Sequence, residues 1–129
     1  MTCCYAVFHL SSRRFEWAQA GHFSPLILRA DGVAEYLAES PGPPLAIYPS
    51  QTYASSSLML NAGDRILMFT DGMVERRREI LDVGINRLRL AVEARSHLEP
   101  HALVRDVAAT VTERFDDLAM VCLAIGVEI

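Results

Sequence analysis

The chain has 129 residues, the size of one domain, and its 51% apolar and 22% charged residues exclude a disordered or low-complexity protein. Its net charge of −4 argues against nucleic-acid binding through phosphate contacts. All 12 basic residues are arginine, which excludes a P-loop lysine and a Schiff-base lysine.

The three cysteines predict reduced thiols, because Cys3 and Cys4 are adjacent and no C-x-x-C pair is present. The N-terminus lacks the basic and apolar regions of a signal peptide. The longest mainly apolar run, residues 118–129 with a single glutamate, is too short to cross a bilayer. We therefore expect a cytoplasmic protein with no membrane partner and no nucleic-acid partner.

The first half of the chain predicts short antiparallel strands. Residues 5–10 and 15–19 form a predicted hairpin, and residues 20–25 form a loop because they contain Gly and Pro. Residues 26–29 and 33–37 form a second hairpin around the strong turn signal Asp31-Gly32. Three prolines make residues 40–44 irregular, and an outer strand is expected within 51–60.

The second half changes from strand to helix. In the segment 65–69, the four residues after Arg65 are continuously apolar, as in a strand covered on both faces. Ile85, Leu88 and Val92 have helical spacing, and a second helix begins at Pro100 and ends at residues 115–117. Residues 118–129 predict a central strand. The fold class is therefore α+β, with mostly antiparallel sheets and two C-terminal helices packed on one face.

Two acidic positions lie at predicted strand ends. Asp71 follows an apolar strand and precedes a glycine, and Asp116 and Asp117 precede the last strand. Such residues are either solvated turn residues or metal ligands. If the two strands are neighbours, their carboxylates meet, and these hard oxygen donors suit Mg²⁺ or Mn²⁺.

Four motifs resemble the SpoIIE-type bacterial serine phosphatases, a branch of the PPM-type metal-dependent protein phosphatases. Residues 63–75 resemble the pattern G-D-x-[apolar]-x-x-[YF]-T-D-G-x-x-E, and residues 20–26 resemble A-G-H-x-P-P-L. Residues 42–45 resemble G-x-P-L-G, and residues 116–118 resemble the start of D-D-x-T. The motifs occur in the family's order and cover nearly the whole chain.

This resemblance implies an α-β-β-α sandwich with two Mn²⁺ or Mg²⁺ ions, which activate a water to attack phosphoserine on a signalling protein such as an anti-sigma-factor antagonist. It implies that Asp71 and Asp116 are the catalytic metal ligands and that Asp117 supports the metal. The loop or phosphate contacts that it implies, besides the weaker candidate Thr70, are Gly72, Glu75 and His22, although a loop-ordering hydrogen bond is the other interpretation for His22. The basic cluster Arg76 to Arg78 either binds phosphate, because arginine can donate two hydrogen bonds to it, or is a solvated helix face.

The chain also departs from the family pattern. The segments G-D-x-x-D and D-V-x-G-x-G, which carry further metal-site carboxylates, do not occur, and Ala119 stands where the family has Thr. Residues 1–129 therefore predict a partial phosphatase domain whose N-terminal half is absent. We expect it to bind one ion or none, to have weak or no activity alone, and to form a homodimer or pair with the missing half. The alternative is a non-catalytic, degenerate phosphatase-like module that binds a protein partner.

Overall fold

The computed structural model describes residues 1–38, 42–112 and 117–126, which form seven strands and two α-helices. The strands are β1 (Cys3–His9), β2 (Arg14–Ala20), β3 (Leu26–Leu28), β4 (Ala34–Tyr36), β5 (Ser56–Met59), β6 (Arg65–Phe69) and β7 (Met120–Ala124). The helices are α1 (Leu81–Glu93) and α2 (Pro100–Ala109). The chain divides into two compact units: Met1–Ser24 with Leu37–Asn61, and Pro25–Tyr36 with Ala62–Ile129.

The first unit contains a three-stranded antiparallel sheet with the order β1-β2-β5. The predicted first hairpin is confirmed, with Phe8 opposite Phe15. Its loop closes through a 2.8 Å hydrogen bond from the Arg13 N–H to the His9 carbonyl, with Arg13 at a φ of 61°. Alternate residues of β2 are buried, including Phe15 and Trp17, as the period of two predicts.

The chain between β2 and β5 is mostly irregular. Residues 42–55 contain no helix or strand, and the predicted outer strand is limited to β5. The prolines explain part of this, because they donate no backbone hydrogen bonds. Tyr53 orders the segment instead, since its hydroxyl donates to the Pro43 carbonyl at 2.7 Å. Residues 39–41 of the predicted irregular stretch lie outside the described residues.

The second unit contains a four-stranded sheet with the order β4-β3-β6-β7, in which every pair is antiparallel. The predicted hairpin of β3 and β4 is confirmed, and the Asp31 carboxylate accepts a 3.0 Å hydrogen bond from the Val33 N–H in its turn. All three residues of β3 are buried, and β6 lies between β3 and β7. The continuous apolar run of β6 therefore predicted its central place correctly.

Both helices pack on this sheet, α1 against β3 and β4 and α2 against β7. The buried residues Leu88 and Val92 of α1, and Leu103 and Val107 of α2, recur every four positions, as expected for helices with one apolar face. Pro100 is the first residue of α2, as predicted. The α+β fold class is confirmed. Within the described ranges, no helix combines the length and apolar content that crossing a bilayer requires.

Two sequence predictions for the C-terminal region are wrong. Helix α2 ends at Ala109 rather than at residues 115–117, because the Thr110 hydroxyl caps it through a 2.6 Å hydrogen bond to the Val107 carbonyl. Strand β7 is short and, among the described residues, pairs only with β6 at the sheet edge. An apolar run indicates apolar neighbours but not the number of partner strands, and Val121 is 66% exposed.

Candidate metal and active site

The turn after β6 carries Asp71, the first of the predicted metal ligands. One turn of 3-10 helix spans Asp71–Met73, and the Asp71 carbonyl accepts hydrogen bonds from the N–H groups of Val74 at 3.0 Å and Glu75 at 2.9 Å. Gly72, Met73 and Val74 are buried, whereas Asp71 keeps intermediate exposure. The core thus anchors one side of the turn and leaves the side carrying the carboxylate accessible.

Thr70 connects this turn to the segment that leads into β7. Its hydroxyl donates to the Asp117 carbonyl at 2.9 Å and accepts from the Ala119 N–H at 2.9 Å. Its own N–H donates to the Ala119 carbonyl at 3.0 Å, which extends the pairing of Phe69 with Met120 by one residue. The backbones of residues 70 and 117–119 are therefore in direct contact.

Through this contact, the backbone beside Asp71 and the backbone of Asp117 lie at the same end of the sheet. The end of β6 lies beside the start of β7 because the two strands are antiparallel. Asp117 is exposed, and Asp116, the other predicted ligand, lies outside the described residues. Carboxylate oxygens are the donors that Mg²⁺ and Mn²⁺ prefer, so the chemistry of this pair fits a hard divalent cation.

No group of three or more acidic, histidine or cysteine side chains suited to a metal occurs within residues 1–38, 42–112 and 117–126. Asp71 and Asp117 are two of the three predicted carboxylates. Two carboxylates leave most positions around a hard cation to water. A metal site at this end of the sheet therefore stays a prediction.

Helix α1 supports the Asp71 turn from the core side. Gly84 is buried against the turn, and a Cβ at this position would overlap the Val74 carbonyl oxygen. The Arg87 guanidinium also donates to that oxygen at 3.4 Å and forms an ion pair with Glu79. The approach of α1 to the turn therefore requires a glycine.

The profile of the family described as Stage II sporulation protein E (SpoIIE) matches residues 1–126, almost the full length of the chain. The chain belongs to the SpoIIE family. The predicted resemblance to SpoIIE-type phosphatases is thereby confirmed.

Similar proteins agree with SpoIIE membership. The phosphoserine phosphatase RsbP of Bacillus subtilis (strain 168) is 27% identical over 74 residues, which are 57% of this chain and 18% of RsbP. The crystal structure of the RsbU and RsbW domains of Rv1364c from Mycobacterium tuberculosis has a TM-score of 0.85 at 27% identity, covering 94% of this chain and 35% of that one.

The phosphatase domain of the cell fate determinant SpoIIE from Bacillus subtilis, Mn presoaked, has the same fold, with a TM-score of 0.66 at 18% identity. That match covers 99% of this chain and 58% of the solved chain. This SpoIIE-family chain thus spans less than two thirds of each of these three proteins.

The residues after Asp71 in the SpoIIE motif have separate surroundings. Glu75 is exposed and donates its backbone N–H to the Asp71 carbonyl. The Arg76 guanidinium donates to the Thr110 carbonyl at 3.5 Å, at the end of α2. A cation there also interacts favourably with the helix dipole. Arg76 is thus a loop contact in this structure, whereas a contact with phosphate remains a prediction.

His22 belongs to the first unit, in which two SpoIIE-family motifs pack together. The Gly21 N–H donates to the Gly42 carbonyl at 2.7 Å, and a Cβ at Gly21 would lie 2.7 Å from Pro44 Cγ. Gly21 also has a φ of 68°, a left-handed value that favours glycine. His22 accepts a 2.8 Å hydrogen bond from Gln19 at its carbonyl, and its Nδ1 lies 3.2 Å from the Phe23 carbonyl. These contacts order the loop.

Sequence reasoning missed two structural residues, Gly84 against the Asp71 turn and Asp64 at the other end of β6. Asp64 is 2% exposed, and its carboxylate accepts hydrogen bonds from the Ala30 N–H at 3.0 Å and Arg29 at 3.4 Å, so it fixes the start of β6. Gly84 was not singled out, although a glycine within a helical pattern indicates close packing. That signal was available, whereas nothing local marks the partners of Asp64.

Proposed function

We propose that this chain carries the metal-binding end of a metal-dependent protein serine/threonine phosphatase domain, of which residues 1–129 are a part. The hydrogen bonds of Thr70 carry the proposal. They hold the segment with Asp117 beside the turn with Asp71, although the two lie far apart in sequence. Membership of the SpoIIE family supports the same conclusion.

Asp71 and Asp116 are the proposed ligands that carry the catalysis, and Asp117 is a ligand or supports its neighbour. The ion is Mn²⁺ or Mg²⁺, because the donors are carboxylates. The Mn-presoaked domain of SpoIIE, which shares the fold, supports this choice. Two ions in contact repel each other, and the bridging carboxylate implied by the resemblance is absent, so we propose that this chain alone holds one ion.

When bound, a divalent cation in such a site stabilises charge on phosphoryl oxygens and lowers the pKa of a coordinated water. The chain's own residues supply position and charge. The buried turn from Gly72 to Val74 holds the Asp71 carboxylate in place, and Thr70 holds the segment of Asp117. Arg76 keeps the following loop against the end of α2.

The proposed substrate is phosphoserine on a small signalling protein, such as an anti-sigma-factor antagonist. The similarity to RsbP, which is named a phosphoserine phosphatase, supports this class. We further propose a reducing cytoplasmic location, which agrees with the free thiols of Cys3, Cys4 and Cys122.

We also propose that the isolated chain has weak or no phosphatase activity and completes its site with another polypeptide or a second copy. The edge position of β7 supports this, because Val121 and Leu123 are 66% and 37% exposed there. Exposed apolar strand edges favour pairing with another chain.

The direct test is calorimetric titration of the purified chain with Mn²⁺. The wild-type chain should bind one ion, and Asp71→Asn should weaken the binding about tenfold or more, since even residues supporting a metal ligand contribute that much. Phosphatase assays with Mn²⁺ should detect little turnover by the chain alone.

Asp106→Asn is the matched control, because Asp106 is an exposed aspartate on α2 and belongs to neither of the two carboxylate-bearing segments. It should leave Mn²⁺ affinity unchanged. The proposal fails if the wild-type chain takes up no Mn²⁺ at millimolar concentration, or if Asp71→Asn binds as well as wild type does.

A second candidate function is a non-catalytic phosphatase-like module that binds a protein partner. The missing carboxylates of the G-D-x-x-D and D-V-x-G-x-G segments favour it, as does the exposed apolar edge of β7. The titration separates the two functions, since this module would give no heat with millimolar Mn²⁺.

A further inference from the structure

We infer that Thr70 is a positioning residue whose hydroxyl sets the spacing between the two carboxylate-bearing segments of the site. The inference rests on the proposed metal site and adds the group that holds its two halves together. Thr70 is not a ligand in this scheme; it acts through the turn of Asp71 and the segment of Asp117.

The hydroxyl uses both of its hydrogen-bonding functions on one segment. Its proton goes to the Asp117 carbonyl at 2.9 Å, and its oxygen accepts the Ala119 N–H at 2.9 Å. A hydroxyl is the smallest side-chain group that can donate and accept at once. An apolar side chain of the same shape would lose both bonds.

Packing alone does not hold this segment. Asp117 and Ala119 are exposed, and Leu118 has intermediate exposure. The segment also precedes β7, and the pairing of β6 with β7 extends into it by one backbone hydrogen bond, from the Thr70 N–H to the Ala119 carbonyl at 3.0 Å. Thr70 therefore adds side-chain hydrogen bonds where burial is slight and the strand ladder ends.

This geometry couples Thr70 to metal affinity. A cation shared by Asp71 and the segment of Asp117 needs its carboxylate ligands at a fixed separation, because divalent cations tolerate only narrow ranges of ligand distance. If the segment before β7 is no longer held, the ion has to order it on binding. This entropy cost lowers the affinity for the ion. Ser keeps the hydroxyl and should preserve affinity, whereas Val should not.

The experiment compares Thr70→Val, Thr70→Ser and the wild-type chain by Mn²⁺ calorimetry and by the Mn²⁺ electron paramagnetic resonance spectrum. Thr70→Val should weaken Mn²⁺ binding about tenfold, within the range for groups that orient ligands. Thr70→Ser should stay within about twofold of wild type. Exchange of the Ala119 amide proton, followed by NMR, should be faster in Thr70→Val and restored in Thr70→Ser.

Thr52→Val is the matched control, since it removes the hydroxyl of an exposed threonine in the irregular segment of the first unit and should leave Mn²⁺ binding unchanged. If Thr70→Val does not fold by circular dichroism, Thr70→Ala replaces it with the same expectation. Wild-type Mn²⁺ affinity in the variant without the hydroxyl overturns the inference and leaves the proposed function intact. Absence of Mn²⁺ binding by the wild-type chain overturns both.

Discussion

Burial determines the chemistry of Cys4 on β1. Desolvation raises the pKa of its thiol from 9.0 to about 11, and the neighbouring Cys3 adds to the rise. The residue lies opposite Gln19, which is 1% exposed, in the pairing of β1 with β2. The sequence predicts an unreactive thiol here but not the extent of its burial, because that depends on the pairing partner.

The raised pKa predicts the pH dependence of alkylation at Cys4. In a chain carrying Cys3→Ser and Cys122→Ser, the rate of reaction with iodoacetamide should keep rising between pH 9 and 11, since only the thiolate reacts. Replacing Cys3 should lower the pKa of Cys4 only partly, because burial is the larger cause of the rise and is unaffected. In denaturant the same rate should be half-maximal near pH 9, and a folded chain whose rate is half-maximal there too would contradict the prediction.

The same shift links Cys4 to stability. Folding favours the protonated thiol, so its stabilising contribution is complete below about pH 9, the unfolded pKa. Between pH 9 and about 11 the unfolded state releases this proton first, and the contribution decreases as pH rises.

At the site, the sequence predicted Asp71 as a metal ligand but did not predict the contacts that position its turn. Asp71 was identifiable because a strand-end aspartate before glycine is a local pattern within a family motif. The partner of the Thr70 hydroxyl lies 49 residues away, at Ala119, and no local pattern specifies such a contact. Thr70 was consequently only a weak candidate until its bonds were seen.

Among the secondary-structure elements, α1 matters most for the site because it crosses the Asp71 turn at Gly84. A Cβ there would overlap the Val74 carbonyl oxygen and lie 2.8 Å from the Val74 carbonyl carbon. Both are backbone atoms, so a side-chain rotation cannot relieve the clash. The helix or the turn would have to move.

Gly84→Ala should therefore destabilise the chain although alanine favours helices. Overpacking against backbone costs about 3 kcal/mol, and the helix propensity of alanine returns about 1 kcal/mol. We expect the free energy of unfolding in urea to fall by about 2 kcal/mol.

Gly126→Ala provides the comparison, because a Cβ at Gly126 would meet nothing within 4 Å. It should leave the free energy of unfolding nearly unchanged. A Gly84→Ala chain as stable as the Gly126→Ala chain would show that α1 does not press on the turn.

Local sequence patterns predicted most of the strands and helices. They failed where contacts with residues distant in sequence determine the structure. The hairpin around Asp31-Gly32 and the start of α2 at Pro100 followed from turn and helix-start residues. The edge position of β7 did not, because its apolar sequence is compatible with one partner strand or two. The end of α2 depended on the cap at Thr110, which the apolar pattern does not reveal.

At the scale of the whole molecule, the edge of β7 is where we expect association. Val121 and Leu123 lie on one face of this strand and are exposed. Unpaired strand edges with apolar side chains promote contact between chains, and a lysine on such an edge discourages it.

Light scattering after size-exclusion chromatography tests this expectation. The wild-type chain should associate with rising concentration, and Val121→Lys should shift it toward the monomer. Val33→Lys is the control, because Val33 is an exposed valine in the turn between β3 and β4, and it should associate like wild type. A wild-type monomer at every concentration would exclude association through this edge.

The two compact units are interleaved along the chain, and this affects folding during synthesis. Leu26–Leu28 leave the ribosome well before Arg65–Phe69, the strand that pairs with them. A nascent chain that ends near Asn61 contains every residue of the first unit, yet its β3 has only β4 to pair with. Until β6 emerges, β3 lacks the second partner strand that it has in the finished fold, so we expect this stage to be prone to contact with other chains.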